Sequence, residues 1–427
     1  MRARLSLVIA ATFGLAACQG DNVNPVDPTP VDEPAATQEN LLTLSSDAAL
    51  NAPQSQRLTA IRGRRETMTV SVARMAATPS AMLRQGSALR ISVAPGVEVV
   101  AIGERVVKRA PNDISWAGPV EGRNDGWVQA VFMEGGITGT ITLGKETYSI
   151  EPIGGGLHAV ARLDQNAFPS EHPADNPSGA LILPTRDPLS LEASLGPSYD
   201  VSLAATSTIN VLVVYTASAA TAAGNILSKI QLAIDETNQS YVNSGISINM
   251  VGVASLQVTY NEASRSFSQH VNALVSSTDG LMDNVHTLRN TYGADMVMLV
   301  VNDSEACGQA AAIKATATNA FAVSHWSCIT GYYSFAHELG HLQGARHDRF
   351  VDGSTSPYTY GHGYIPSTKN WRTIMSYGNN CSNCTRIQWW SSPLKTYPPT
   401  GQVMGTTTYE DNARVLNGTA ATVAAFR

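Results

Sequence analysis

Three histidines and one glutamate, packed within twelve residues, are the part of this chain best suited to chemistry: His337-Glu338-Leu339-Gly340-His341-Leu342-Gln343-Gly344-Ala345-Arg346-His347-Asp348. On a helix, residues four apart sit about 40° apart on one face, one turn on, so the imidazoles of His337 and His341 can share one ion. Glu338 lies beside them, able to reach a water on that ion without ligating it. Two histidines are too few for a catalytic zinc site, which takes three protein ligands and keeps one position open. A continued helix would swing His347 away, but Gly344 can take φ > 0, end the helix and turn the chain back. His347 then becomes the third ligand. The alternative is a core helix whose histidines are merely hydrogen-bonded; glycine and the third histidine falling where a zinc site needs them argue against it.

The elements around the motif suit that role. Tyr332, Tyr333, Phe335, Ala336 and Leu339 supply an apolar side for a helix whose histidines face a cleft. Upstream, Ile209 to Tyr215 and Met296 to Val301 are continuous apolar runs, the pattern of strands covered on both faces. Between them Ile226, Ile230, Ala233, Ile234, Thr237 and Tyr241 recur at helical spacing, Ile246 to Val253 returns to strand, and Leu281, Val285 and Leu288 mark another helix. Alternating elements predict an α/β fold with a twisted, mostly parallel sheet and the metal in a central cleft, over 206–427. Asn319 to Ser324 is the candidate edge strand for an extended peptide.

The rest of the chain divides by texture. Arg2 and Arg4 precede the apolar run Leu5 to Leu15, too short for a permanent span, and Leu15-Ala16-Ala17-Cys18 resembles a lipoprotein box. Residues 1–18 therefore read as a signal segment with Cys18 as the lipidation site, the alternative being an ordinary signal peptide followed by a cysteine. Residues 19–55, rich in Pro, Asp, Ala and Thr, read as a flexible linker. Residues 56–165 read as a small β-rich domain, with strands at Leu89 to Val93, Trp127 to Met133, Thr138 to Leu143 and Thr147 to Ile150. Residues 166–205, with six prolines, read as a second linker and processing zone.

Charged residues make up 15% of the 427 and the net charge is −6, with no basic patch, so nucleic acid is excluded as a partner. The expected partners are protein or peptide substrates; a membrane enters only through the possible lipid anchor, and the chain is expected to be a monomer. Either reading of the N-terminus places the mature chain outside the cytoplasm, in the cell envelope or the medium. There the remaining Cys307, Cys328, Cys381 and Cys384 are expected to form two disulfides, Cys307–Cys328 and Cys381–Cys384. The competing reading of Cys381-x-x-Cys384 is a redox or zinc site, and a four-thiolate zinc site would need a second CxxC, which the sequence lacks.

Thr373-Ile374-Met375-Ser376-Tyr377-Gly378 follows about 28 residues after His347. With the extended zinc motif it resembles the metzincin clan of zinc metalloproteases. The resemblance implies one catalytic Zn2+, with Met375 as the methionine of the turn beneath the metal. It makes Tyr377 a fifth ligand or oxyanion donor, a packing tyrosine being the equal alternative. In reprolysin-like members an aspartate follows the third histidine and is structural, as Asp348 would be; a turn cap is the other reading. Gly331-Tyr-Tyr-Ser-Phe-Ala-His-Glu-Leu-Gly-His, Arg386-Ile-Gln-Trp-Trp-Ser-Ser-Pro and Asn412-Ala-Arg-Val-Leu-Asn resemble the bacterial peptidyl-Asp metalloendopeptidases. That implies hydrolysis on the amino side of Asp, with Arg386, or failing it Arg372, as the cation of the substrate pocket. The implied mechanism has Glu338 taking a proton from the zinc-held water and passing it to the leaving amine. The β-rich segment ending Gly154-Gly-Gly-Leu-His158 resembles the propeptides of such enzymes, making the chain a zymogen. No cysteine lies between residues 19 and 306 to silence the zinc, so inhibition would need a carboxylate, a histidine or occlusion.

The other histidines have no ligand spacing: His325 and His362 are expected near the cleft, and His158, His172, His270 and His286 on the surface or in packing. Two rival functions are a non-catalytic surface lipoprotein with a structural zinc and an amidase acting on cell-wall peptides.

Overall fold

The computed structural model describes residues 38–46, 50–173, 206–382 and 384–427. Cys18, the signal segment and most of both expected linkers lie outside them.

The N-terminal part is a ten-stranded sheet. Its strands are β1 (Gln38–Leu44), β2 (Thr67–Met75), β3 (Ala88–Ala94), β4 (Val97–Ile102), β5 (Arg105–Ala110), β6 (Asp113–Pro119), β7 (Gly126–Met133), β8 (Gly136–Leu143), β9 (Glu146–Gly154) and β10 (Leu157–Leu163). The order is β4-β3-β1-β2-β10-β9-β8-β7-β6-β5. Helix α1 (Ala52–Arg62) starts at Asn51, whose side chain accepts from the Gln54 amide while Gln54 bonds back in a reciprocal cap. Two boundaries differ from the sequence reading. β1 and the start of α1 fall within the expected 19–55 linker, because Leu41 and Leu42 are buried in the sheet's core. Residues 166–173, expected as linker, lie packed against the second half of the chain.

That half holds β11 (Ser207–Tyr215), α2 (Ala217–Ala223), α3 (Ile226–Ser244), β12 (Ile248–Gln257), α4 (Phe267–Val275), α5 (Asn284–Thr291), β13 (Met296–Val301), β14 (Gly308–Ala310), β15 (Phe321–His325), α6 (Ser334–Gln343) and α7 (Asn412–Val423). A five-stranded sheet runs β12-β11-β13-β15-β14. Its first three pairings are parallel, and β14 joins antiparallel. All six residues of β13 are buried, since separate apolar clusters cover the sheet's two faces. One correction bears on function: β15, the expected edge strand, is interior, and the three-residue β14 covers it.

Helix α3 joins the two halves. One side packs on β12; the other meets β7 and β8 through polar groups. Thr138 and Ser228 share a hydrogen bond of 2.5 Å, Gln129 Nε2 donates to the Asp235 carbonyl, and Lys229 Nζ is 3.6 Å from Glu151 on β9.

Candidate metal centre and acid pocket

Helix α6 carries His337, Glu338 and His341, all buried. It ends as the sequence requires. Gly344 has φ +107°, its N–H donates to the His341 carbonyl at 2.8 Å, and the Ala345 N–H reaches back to Gly340 at 3.0 Å. These two bonds close the helix and reverse the chain. The returning segment is pinned where Arg346 N–H donates to Gly361 at 2.7 Å and His362 Nδ1 donates to the His347 carbonyl at 2.8 Å. His347 is thereby brought back, its Nε2 lying 2.9 Å from His341 Nε2 and 3.2 Å from His337 Nε2.

The chemistry of these atoms tests whether a cation fits. His337 Nδ1 donates to the Ile374 carbonyl and His341 Nδ1 to Ala345, both at 2.9 Å, so each ring turns an Nε2 lone pair inward. Burial lowers all three imidazole pKa values, that of His341 to about 3, and keeps the rings neutral. Converging lone pairs repel one another unless an electrophile sits among them. The donor set therefore fits a divalent metal ion of the kind imidazole prefers.

Glu338 projects beside the histidines, and the nearby Ala310 N–H on β14 favours its charged form. Its Oε2 is buried with no hydrogen-bond partner, and desolvation pushes its pKa well above the ordinary value. Gly308 makes room for it, because a Cβ there would lie 2.2 Å from Glu338 Oε1. Met375 is buried below α6, and a Cβ at Gly340 would meet Trp390 at 2.6 Å and Met375 Sδ at 3.3 Å. Asp348 accepts from the Tyr377 and Phe350 amides at 2.8 and 3.1 Å, tying the segment after His347 to the Met375 turn. The Tyr377 ring lies 4.6 Å from that of His347.

Beyond the Met375 turn, two short strands, β16 (Trp371–Arg372) and β17 (Thr385–Arg386), pair in parallel with Arg372 opposite Arg386. The Cys381–Cys384 disulfide closes the loop between them, and Cys307–Cys328 joins the start of β14 to the loop before α6. Both guanidiniums are buried beside Tyr332. Arg372 is largely committed to carbonyls: Nε donates to Ser376 at 3.1 Å and Nη1 to Cys384. Arg386 Nη1 donates to the Tyr332 carbonyl at 2.9 Å, and Nη2 makes only a long 3.5 Å contact with the Ser376 carbonyl on the protein side.

What Nη2 meets went unread in the sequence. The Glu171 carboxylate is 2.6 Å from it, accepts from the Tyr332 hydroxyl at 2.6 Å, and is 3.9 Å from Arg372 Nη2. The adjoining His172, expected on the surface or in packing, is buried among the three histidines, its ring centroid 4.8 to 5.4 Å from theirs. One ligating atom from each of the four lies within 4.8 Å of every other. His158, His270 and His286 do pack elsewhere, and His325 caps β15 beside Trp326. A lone Glu-His pair in a proline-rich stretch has no periodicity, so only the absence of an inhibitory cysteine hinted at it.

A sheet whose edge strand flanks a histidine-bearing helix, with a third histidine returned by a glycine turn, is the arrangement of a metallopeptidase. The chain's relatives say the same. The profile of Reprolysin_5, metallo-peptidase family M12, matches residues 205–391. A peptidyl-Asp metalloendopeptidase of Stenotrophomonas maltophilia (strain K279a) is 42% identical over 328 residues, 75% of this chain and 75% of that protein. Another from Xanthomonas campestris pv. campestris is 42% identical over 304 residues, 68% of this chain and 67% of that protein. A third from Pseudomonas fragi is 40% identical over 195 residues, 45% of this chain and all of that protein. The chain belongs to the peptidyl-Asp metalloendopeptidases, within the reprolysin-like metzincins, and is a metalloendopeptidase.

Proposed function

We propose that the chain is a zinc-dependent endopeptidase, with His337, His341 and His347 as ligands through Nε2 and Glu338 as general base and then general acid. The observation that carries this reading is the convergence of three inward-facing Nε2 atoms beside a buried carboxylate. Zinc in such a set supplies a Lewis acid that makes water nucleophilic near neutral pH and polarises a peptide carbonyl. Glu338 holds the proton taken from water and releases it to the leaving nitrogen. The Ala310 N–H steadies that carboxylate, and the Met375 turn fixes His337 through the Ile374 carbonyl. Tyr377 has its hydroxyl on the open side of the histidines, where it can donate to a developing oxyanion.

The same reading extends to specificity. The relatives' names specify Asp, and in this chain Arg386 and Tyr332 hold a carboxylate with Arg372 behind them. These three residues form a buried pocket for an acidic side chain. Two disulfides suit an oxidising compartment, in keeping with export. Residues 38–165 are read as the removable N-terminal domain of a zymogen, and 206–427 as the catalytic domain.

The test is Glu338→Ala, with metal content and hydrolysis of an Asp-containing peptide measured side by side. One equivalent of zinc retained with hydrolysis down at least about a hundredfold is expected. Retained hydrolysis would remove Glu338 from the mechanism. Zinc lost from a His341→Ala variant and kept in Glu338→Ala separates ligand from base.

A further inference from the structure

We propose that His172 is a fourth ligand of the metal and that Glu171 occupies the acidic-side-chain pocket, so that residues 165–172 form a two-point latch across the active site. This rests on the metallopeptidase reading above. The segment is anchored along its length. Gln165 Nε2 donates to the Gly331 carbonyl at 3.0 Å, and its Oε1 accepts from the Arg386 N–H at 2.7 Å. Phe168 stacks on Tyr332 with centroids 4.6 Å apart and planes 7° from parallel. The Ser170 and Glu171 carbonyls then accept from the Cys307 and Gly308 amides at 2.7 and 3.0 Å, so the segment adds its backbone to the start of edge strand β14.

The two end groups imitate what a substrate would bring. Glu171 puts a carboxylate on Arg386 and Tyr332, and its own backbone sits on the edge strand beside Glu338. His172 fills the space above the three histidines. The Tyr377 hydroxyl engages its Nδ1, and its Nε2 has no hydrogen-bond partner, lying 3.3 Å from Glu338 Oε1. A fully buried imidazole nitrogen without a partner, beside the converging Nε2 atoms of His337, His341 and His347, is arranged as a ligand. With His172 there the metal has four protein nitrogens and no open position, the difference between a closed and a catalytic zinc site. The same ring separates Glu338 from water. The absence of an inhibitory cysteine from residues 19–306 thus has a structural counterpart.

The deciding measurement counts imidazoles on zinc by X-ray absorption in the full-length chain. Four in the wild type are expected, and three plus one oxygen in His172→Ala, with peptide hydrolysis rising about tenfold or more as the site opens. Glu171→Gln keeps the shape and removes the charge, so it is expected to raise hydrolysis by about tenfold through the weakened pocket bond. Three imidazoles in the wild type, with one zinc bound and Glu338-dependent hydrolysis, would overturn the latch and leave the metallopeptidase reading intact. Wild type and both variants hydrolysing equally would overturn it too. No stoichiometric zinc on the wild type would instead sink the reading beneath it.

Discussion

If Arg386 reads an acidic side chain of the substrate, as proposed, Arg386→Gln should abolish that preference. The Arg386 guanidinium is buried, its Nη2 lies 2.6 Å from the carboxylate that occupies the pocket, and the Tyr332 hydroxyl shares that carboxylate at the same 2.6 Å. Two unit charges about 4 Å apart at an effective dielectric constant of about 20 attract by roughly 4 kcal/mol. Desolvating the incoming carboxylate takes part of this back, and measured losses on breaking buried charge pairs are about 2–5 kcal/mol. A net figure of about 3 kcal/mol corresponds to roughly 150-fold in kcat/KM. The assay compares two peptides alike except for Asp or Asn after the scissile bond. It uses a Glu171→Ala/His172→Ala background, in which both points of the latch are already gone, so that loosening of residues 165–172 does not enter. The Asp peptide should lose about a hundredfold and the Asn peptide only a few-fold. Arg386→Lys should recover part of the preference, since charge returns without the planar fork. An Asp-to-Asn ratio unchanged in Arg386→Gln would show that the pocket does not read substrate. A loss shared equally by both peptides would point to the bond from Arg386 Nη1 to the Tyr332 carbonyl, and hence to structure alone.

Two further outcomes follow from the fold. Gly344→Ala places a Cβ at φ +107°, 3.1 Å from the Tyr358 ring, so strain of about 1–3 kcal/mol should lower the melting temperature and weaken zinc binding by displacing His347. Equal zinc affinity in a chelator competition would refute the claim that this turn positions the ligand. Glu236 on α3 has its pKa pushed up to about 7, chiefly by burial. The folded chain therefore keeps a proton that the unfolded chain releases near pH 4.5, and the stability this contributes, full below that value, is lost as pH rises through about 7, at up to about 1.4 kcal/mol per pH unit. Glu236→Gln should flatten that slope in denaturant titrations; an identical slope would discard the assignment.

The convergence of His337, His341 and His347 was legible because its determinants are local. Spacing on one helical face, a glycine to reverse the chain and a third histidine all fall within twelve residues. The runs in β11 and β13 were legible for the same reason, since burial on both faces leaves a continuous apolar signature. Edge strand β14 was not, because three residues are too few to show alternation, and β15 beside it carries the stronger apolar pattern. The pocket was half legible. Arg386 and Arg372 could be named from likeness, but their adjacency depends on a two-residue parallel pairing that leaves no periodic trace. Nothing local could reveal Glu171 and His172, whose partners Tyr332 and Tyr377 lie 161 and 205 residues away.

The interface along α3 explains how a covering domain could be both firmly seated and removable. Its buried contacts with the N-terminal sheet are polar: Ser228 with Thr138, Lys229 with Glu151, and the Asp235 carbonyl with Gln129, whose Oε1 also accepts from Gln388. Glu151 is held well below the ordinary carboxylate range by Arg64, Lys229 and Arg57 acting against its burial. A permanent core would gain as much from apolar side chains of equal volume, without the desolvation that buried charges impose. Polar groups instead leave a surface that water can satisfy once the sheet departs, whereas an apolar face of that size would aggregate. The face that α3 turns to its own sheet, with Ile230, Ala233, Ile234 and Tyr241, is apolar and belongs to the core around β11 and β13. One helix thus carries an apolar seam on one side and a polar one on the other, which is the distribution expected if the N-terminal sheet holds residues 165–172 in the cleft only until they are released.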